Sequence, residues 1–497
     1  MTPATSALQF TGADLLGKVA SVDTSRVAVD VSNSVLLTRI GIGSLVAIRG
    51  ATELEYLIGI TDRVTRSLAD ALPEDLPEGD EEMSLEAVPR DLLRAALIGT
   101  FRTVEGAKKN TFKRGADSFP QIDRECFVID GGNLQRFMSI LGADFPEDER
   151  LKLGTFVADR TADAIASGDK FFQRHAAILG STGSGKSYAV ALLLERAAKL
   201  KFPNIIVFDM HGEYAPLADP AKKGFATKLR IAGPGDLEKP GDDVLFLPYW
   251  LLNRDEMLSM ILDRSDQNAP NQASRFTLHV RALKQQTLEA EKKTEVAKTF
   301  TVDSPIPYKI EQLVDLLRTD NTTKGVGKTG PVKGEWEDKL TRFISRLEAK
   351  LEDRRYGFMF APPVVANSYD WLASQTASLL GSEGGKGIKI IDFSEVPADV
   401  LPVVTGTLAR LLYDVQFWMN PERRTPVTLL CDEAHLYLPV RDDAEAVQRQ
   451  ALGSFERIAK EGRKYGYSMV VVSQRPSDVS KCAIRFFWTG IPVLTGQ

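Results

Sequence analysis

The sequence predicts a two-part α/β protein. A small N-terminal β domain over about residues 1–150 precedes a larger domain over 151–497, built on a parallel sheet with a helical insertion at about 253–349. Three observations predict it. Short β-branched runs separated by turn residues fill 15–66. From about Arg174 the texture becomes apolar run, turn, helix, apolar run, the alternation that a parallel sheet covered on both faces requires. Between 253 and 349 the apolar spacing is almost wholly helical, and the remainder is rich in Lys, Glu, Gln and Arg.

In chain order, the first strand-like runs are 19–22, 27–31, 35–38, 45–49 and 56–61, punctuated by Gly41, Gly43 and Gly50. That spacing suggests a small barrel or sandwich. Residues 70–86 hold eight acidic residues and no basic one, with Pro73, Pro77 and Gly79 among them, and read as a solvated loop inserted in the β domain. Strand-like segments resume at 95–100 and 126–129. The second part opens on a β-run at 175–179, a Gly-rich turn, a helix over 187–200 and an apolar run at 204–209 that ends in a carboxylate. Further runs of buried-strand type lie at 388–392, 427–431 and 468–472, with a helix expected over 444–460. A loop at 322–334 interrupts the helical insertion.

Composition sets bounds on function. Hydrophobic residues are 43% and charged residues 26%, which excludes wholesale disorder and fibrous repeats. A net charge of -5 leaves no global positive field, so contact with DNA has to come from local basic groups. Three scattered cysteines (Cys126, Cys431, Cys482) and four histidines without ligand spacing argue against a disulfide framework or a zinc site. The N-terminus lacks a basic segment followed by an apolar one. The greasiest long stretch, 401–419, contains Thr405, Arg410 and Asp414. A soluble, cytoplasmic chain without membrane contact is expected.

The strongest chemical signal is Gly180-Ser181-Thr182-Gly183-Ser184-Gly185-Lys186-Ser187, which fits G-x-x-x-x-G-K-[ST] between a β-run and a helix. Its glycines let backbone N–H groups and a helix N-terminus wrap phosphates. Lys186 would reach the β- and γ-phosphates, and the Ser187 hydroxyl would hold Mg²⁺. A second G-K-T, at Gly327-Lys328-Thr329, has no preceding strand and Pro331 where a helix should run, and reads as a basic loop. The segment 427–433 delivers Asp432 and Glu433 to the carboxyl edge of a sheet, Asp432 suited to Mg²⁺ and Glu433 to activating a water against the γ-phosphate. Gln474, just after the run 468–472, either senses that phosphate or orients the attacking water, or is a plain strand end. His211, after the run 204–209, is either structural or a nucleotide contact. Arg463 is either a solvated helix-end charge or an arginine finger offered to a neighbouring subunit. A lysine cluster at Lys108, Lys109, Lys113 and Arg114 and another at Lys324, Lys328 and Lys333 are each a solvated loop or a DNA contact.

Taken together, RHAAILGSTGSGKS, IIVFDMHGEY, LLCDEAHLYLP, EGRKYGYSMVVVSQRPSDVS and the N-terminal β domain resemble the HerA family of the FtsK–HerA ATPase branch over roughly 10–480. The resemblance implies a β-barrel followed by a RecA-like P-loop ATPase core with a helical insertion. It also implies ATP and Mg²⁺ as cofactors and a hexameric ring that moves double-stranded DNA without regard to sequence. Lys186, Glu433, Gln474 and Arg463 would then carry hydrolysis, with Ser187 and Asp432 at the metal. Relatives work beside a nuclease in end resection, or with sirtuin-like or nuclease effectors in anti-phage complexes. A scaffold that assembles and activates such an effector is the competing expectation, and a P-loop small-molecule kinase ranks below both. The segment from Lys481 onward departs from the family pattern and is expected to be short or truncated.

Overall fold

In the computed structural model the described residues are 7–480, except 24, 70–87, 105–108, 116–117, 144, 156–159, 161, 328–329, 382–386, 441–443 and 445. The acidic loop, Lys108, the Lys328-Thr329 pair, Cys482 and the segment from Lys481 onward lie outside them. The chain forms two compact units, Met1–Gly168 and Asp169–Gln497.

The first unit contains β1 (Leu15–Asp23), β2 (Arg26–Val31), β3 (Leu45–Arg49), β4 (Glu55–Ala69), β5 (Val88–Val104), β6 (Lys109–Arg114) and β7 (Glu125–Ile129). The antiparallel order β2-β1-β7-β3-β4-β5 closes on itself, because β2 also pairs β5 with Val29 opposite Leu93. This is a six-stranded barrel, with β6 hung on the outside of β5. Closure removes the free edges that an open sheet would expose. Alternate residues point inward, so Val19, Val27, Val29, Val46, Ile48, Leu57, Leu93 and Cys126 form one core. On the outer face, Tyr56, Ile58, Phe101 and Phe127 pack under α1 (Gly131–Ala143) through Leu134 and Phe137. One expectation is corrected here. Residues 35–38 form a 3-10 turn, Ser34–Thr38, rather than a strand. Only Leu36 is buried in it, Val35 faces solvent, and Thr38 Oγ1 donates to the Val35 carbonyl, a local bond that a strand could not make. The hairpin β8 (Arg150–Thr155) and β9 (Asp163–Ser167) completes the unit, so position 150 opens a strand of the first unit.

The second unit begins within α2 (Gly168–Phe172) and continues β10 (Ala176–Leu179), α3 (Lys186–Ala197), β11 (Ile205–Asp209), β12 (Ala226–Ile231) and β13 (Val244–Leu245). The helical insertion follows as α4 (Arg254–Ile261), α5 (Ala269–Ala290), α6 (Thr294–Thr299), α7 (Ile310–Thr322), α8 (Thr341–Glu352), α9 (Gly357–Phe360) and α10 (Trp371–Leu380). The expected loop at 322–334 carries a short hairpin, β14 (Gly325–Gly327) with β15 (Gly330–Val332), and the second G-K-T runs from the end of β14. The core resumes with β16 (Ile388–Asp392), α11 (Leu401–Trp418), β17 (Val427–Cys431), α12 (Ala446–Glu461) and β18 (Tyr467–Ser473).

Seven strands in the order β10-β18-β17-β11-β16-β12-β13 form one parallel sheet. β11, β16, β17 and β18 are buried at every position, as strands covered on both faces must be. Because the strands are parallel, the residues following each one gather at a single edge, where ligands of such sheets collect. The insertion is pinned to the core by a buried pair. Arg410 of α11 bonds both carboxylate oxygens of Glu256 at 2.7 and 2.8 Å, and Glu256 also closes a capping box with Asn253 at the start of α4.

Candidate active site

Four strands deliver side chains to the carboxyl edge. After β10 the chain enters the loop Gly180–Gly185 with Gly183 at φ 79° and Gly185 at φ 81°, a left-handed region where a side chain is strained. At Gly180 a Cβ would sit 2.4 Å from Ser184 Oγ, so that hydroxyl would have to swing aside. The loop opens directly into α3, whose first residue is Lys186, so free N–H groups of the helix start face the space that the loop encloses.

The Lys186 ammonium lies 2.8 Å from Glu433 Oε1, the two side chains being 8% and 10% exposed. This pair joins β10 to β17 across the intervening β18. Glu433 itself holds a left-handed backbone, φ 43° and ψ 46°, a strain of order 1–3 kcal/mol for a residue with a side chain. Its neighbour Asp432 is buried, and burial, reinforced by the Glu433 and Asp209 carboxylates, pushes its carboxyl up to about 6 against the opposing hydrogen bond from the Glu433 N–H and the pull of Lys186. Asp432 Oδ1 is also buried without a hydrogen-bond partner. A carboxylate in that state suits a cation, which would supply the missing partner and the missing charge.

On the other side of the loop, Thr182 Oγ1 donates to Gln474 Oε1 at 2.7 Å, so the residue after β18 grips the loop directly. Lys186, Glu433, Asp432, Thr182 and Gln474 therefore converge, with Ser187 partly exposed in the first turn of α3. His211 is exposed after β11, its backbone N–H donating to Asp209 Oδ1. Asp209 also accepts from the N–H groups of Glu213 and Tyr214, which spends its carboxylate on shaping the turn. Arg463 stands apart. It lies exposed in the turn Gly462–Tyr465 that leads into β18, so the length of that strand, roughly 20 Å, separates it from Gln474. Lys113, Arg114, Lys324 and Lys333 are exposed.

Sequence reasoning passed over one residue of this site, His435. Its Nδ1 lies 3.2 Å from Glu433 Oε2. The signal was present in Asp432-Glu-Ala-His435, but nothing local announces that Glu433 adopts a left-handed turn that brings the imidazole back beside it.

Residues 151–412 match the family described as the central domain of the helicase HerA. A probable helicase of Methanocaldococcus jannaschii is 26% identical over 330 residues, which cover 66% of this chain and 54% of that protein. The DNA double-strand break repair helicase HerA of Saccharolobus solfataricus is 23% identical over 344 residues, covering 68% and 57%. That of Pyrococcus furiosus is 21% identical over 364 residues, covering 67% and 58%. The chain thus spans a little over half the length of the curated relatives it matches. Among solved structures, VirB4 of Thermoanaerobacter pseudethanolicus aligns with a TM-score of 0.44 and 15% identity, covering 69% of this chain and 82% of that one.

Proposed function

The chain belongs to the HerA helicase family, and on that premise we propose that it is an ATP-hydrolysing motor acting on double-stranded DNA. The observation that carries this reading is the convergence of Lys186, Asp432, Glu433 and Gln474 around one glycine loop. In this reading Gly180, Ser181, Thr182, Gly183, Ser184 and Gly185 cradle the phosphates of ATP, and Lys186 leaves Glu433 to bind the γ-phosphate. Ser187 and Asp432 hold Mg²⁺, which neutralises phosphate charge when bound. Glu433, released by Lys186, accepts the proton of the attacking water, and Gln474 reports the γ-phosphate to the loop through Thr182. His211 contacts the nucleotide from the end of β11.

Arg463 cannot reach the site of its own subunit, which supports a role at a neighbour's nucleotide within a hexameric ring. Basic loops too modest to bind DNA singly would be repeated around such a ring, gripping phosphates rather than base edges. An effector protein, a nuclease or a sirtuin-like enzyme, completes the assembly. Among the described residues no helix is long and apolar enough to cross a membrane.

The test is ATPase activity of the purified chain with and without double-stranded DNA. Stimulation by DNA is expected, with Glu433→Gln retaining nucleotide affinity and losing at least about a hundredfold in turnover. Full activity of Glu433→Gln would remove it as the base. Turnover indifferent to DNA, together with a tight effector complex, would replace the motor with an activating scaffold.

A further inference from the structure

Two buried polar atoms at this site face each other unsatisfied. Glu433 Oε2 and His435 Nδ1 are 3.2 Å apart, on side chains 10% and 12% exposed, and neither has a hydrogen-bond partner. Leaving such buried atoms unpaired is unfavourable, so their juxtaposition requires a reason. It is not slack in the chain. The left-handed Glu433 starts a 3-10 turn, Ala434–Leu436, in which Leu436 N–H donates to the Glu433 carbonyl and Leu438 N–H to that of Ala434. Ala434, Tyr437 and Leu438 are fully buried, and the Tyr437 hydroxyl donates to the Asp432 carbonyl. Pro439 pairs with Val479, and Ser480 N–H donates to the Leu438 carbonyl, which ties this turn to the segment following Gln474. The backbone that carries the imidazole is thus tied on both sides, and the ring is faced by the charges of Glu433, Arg475, Asp478 and Lys186.

We propose that His435 is a positioning residue for Glu433: the imidazole Nδ1–H holds Oε2 once Lys186 has given up Oε1, leaving Oε1 aimed at the attacking water. This rests on the reading of Glu433 as the base. Burial holds the imidazole below its usual range, so at neutral pH it is uncharged and lends a hydrogen bond without quenching the carboxylate. In the step served, the water oxygen bonds to the γ-phosphorus while the bond from that phosphorus to the bridging oxygen breaks. The bond's electron pair leaves with ADP, the water proton passes to Glu433 Oε1, and His435 keeps its own proton throughout.

Steady-state hydrolysis and ADP affinity of His435→Ala and His435→Asn test the proposal. Asn offers an amide N–H close to where Nδ1–H stood. His435→Ala is expected to lower kcat by about tenfold or more with KM for ATP and ADP affinity within about twofold, and His435→Asn to recover most of the loss. Wild-type turnover in His435→Ala would overturn it, and so would a His435→Asn variant as slow as the alanine. If Glu433→Gln hydrolyses ATP normally, the reading of the base has failed. If Glu433→Gln is inactive while His435→Ala is unaffected, this proposal alone has failed.

Discussion

Asp432 sits where an ionised carboxylate is badly served, since burial pushes its carboxyl up to about 6 from an ordinary value near 3.8. Between those values the folded chain holds a proton that the unfolded chain has released. The stability contributed by this group is therefore greatest at low pH and is lost as pH rises through about 6. Above that, the buried anion costs about 2–3 kcal/mol in the absence of a cation. Asp432→Asn is accordingly expected to raise the melting temperature of magnesium-free protein by several degrees at about pH 8, with the gap narrowing as pH falls from 6 towards 4, while hydrolysis is lost. Thermal melts in a chelating buffer across that range check it. A lower melting temperature for the variant at pH 8 would mean that the carboxylate is already compensated without metal.

Helix α11 crosses α12 where neither has room to spare. A Cβ on Gly406 would lie 2.7 Å from both the Cα and the Cβ of Ala451, atoms with no flexible end to swing aside. Gly406→Ala should therefore cost about 1–3 kcal/mol and lower the melting temperature by a few degrees, while ADP affinity stays unchanged, because the atoms nearest that Cβ all belong to Ala451 and none to the glycine loop. Melting and ADP titration of the same variant check both halves, and an unchanged melting temperature would show that the helices can part without penalty. The same helix shows where sequence reading ends. The phosphate loop and the Asp432-Glu433 pair were legible because their chemistry is contiguous and each follows an apolar strand. Segment 401–419 gave only an apolar stretch, because α11 is buried continuously from Leu401 to Ala409 and a helix covered on all sides shows no 3.6-residue stripe. Spacing left barrel and sandwich both open, and the pairing of β2 with β5 that closes the barrel was not legible, since pairing across more than sixty residues leaves no local mark. His435 escaped for a related reason: its meaning depends on one backbone angle two residues earlier.

At the scale of the whole molecule and the ring proposed for it, Arg463 gives the sharpest test. It lies before β18 and Gln474 lies after it, so no rearrangement short of dismantling the strand brings the guanidinium to its own phosphate loop. If it acts across an interface, Arg463→Ala and Glu433→Gln are each inactive for different reasons. The first subunit still carries a base, and the second still carries an arginine. Mixed one to one and allowed to exchange, they build some interfaces in which Glu433 from one copy meets Arg463 from the next. Random mixing places both intact partners at about a quarter of the interfaces, so activity of that order should return from two dead parents. No residue within a single chain could produce that recovery. A mixture as inactive as its components, after exchange has been verified by mass, would confine Arg463 to a role inside its own subunit and remove the strongest support for hydrolysis shared between neighbours.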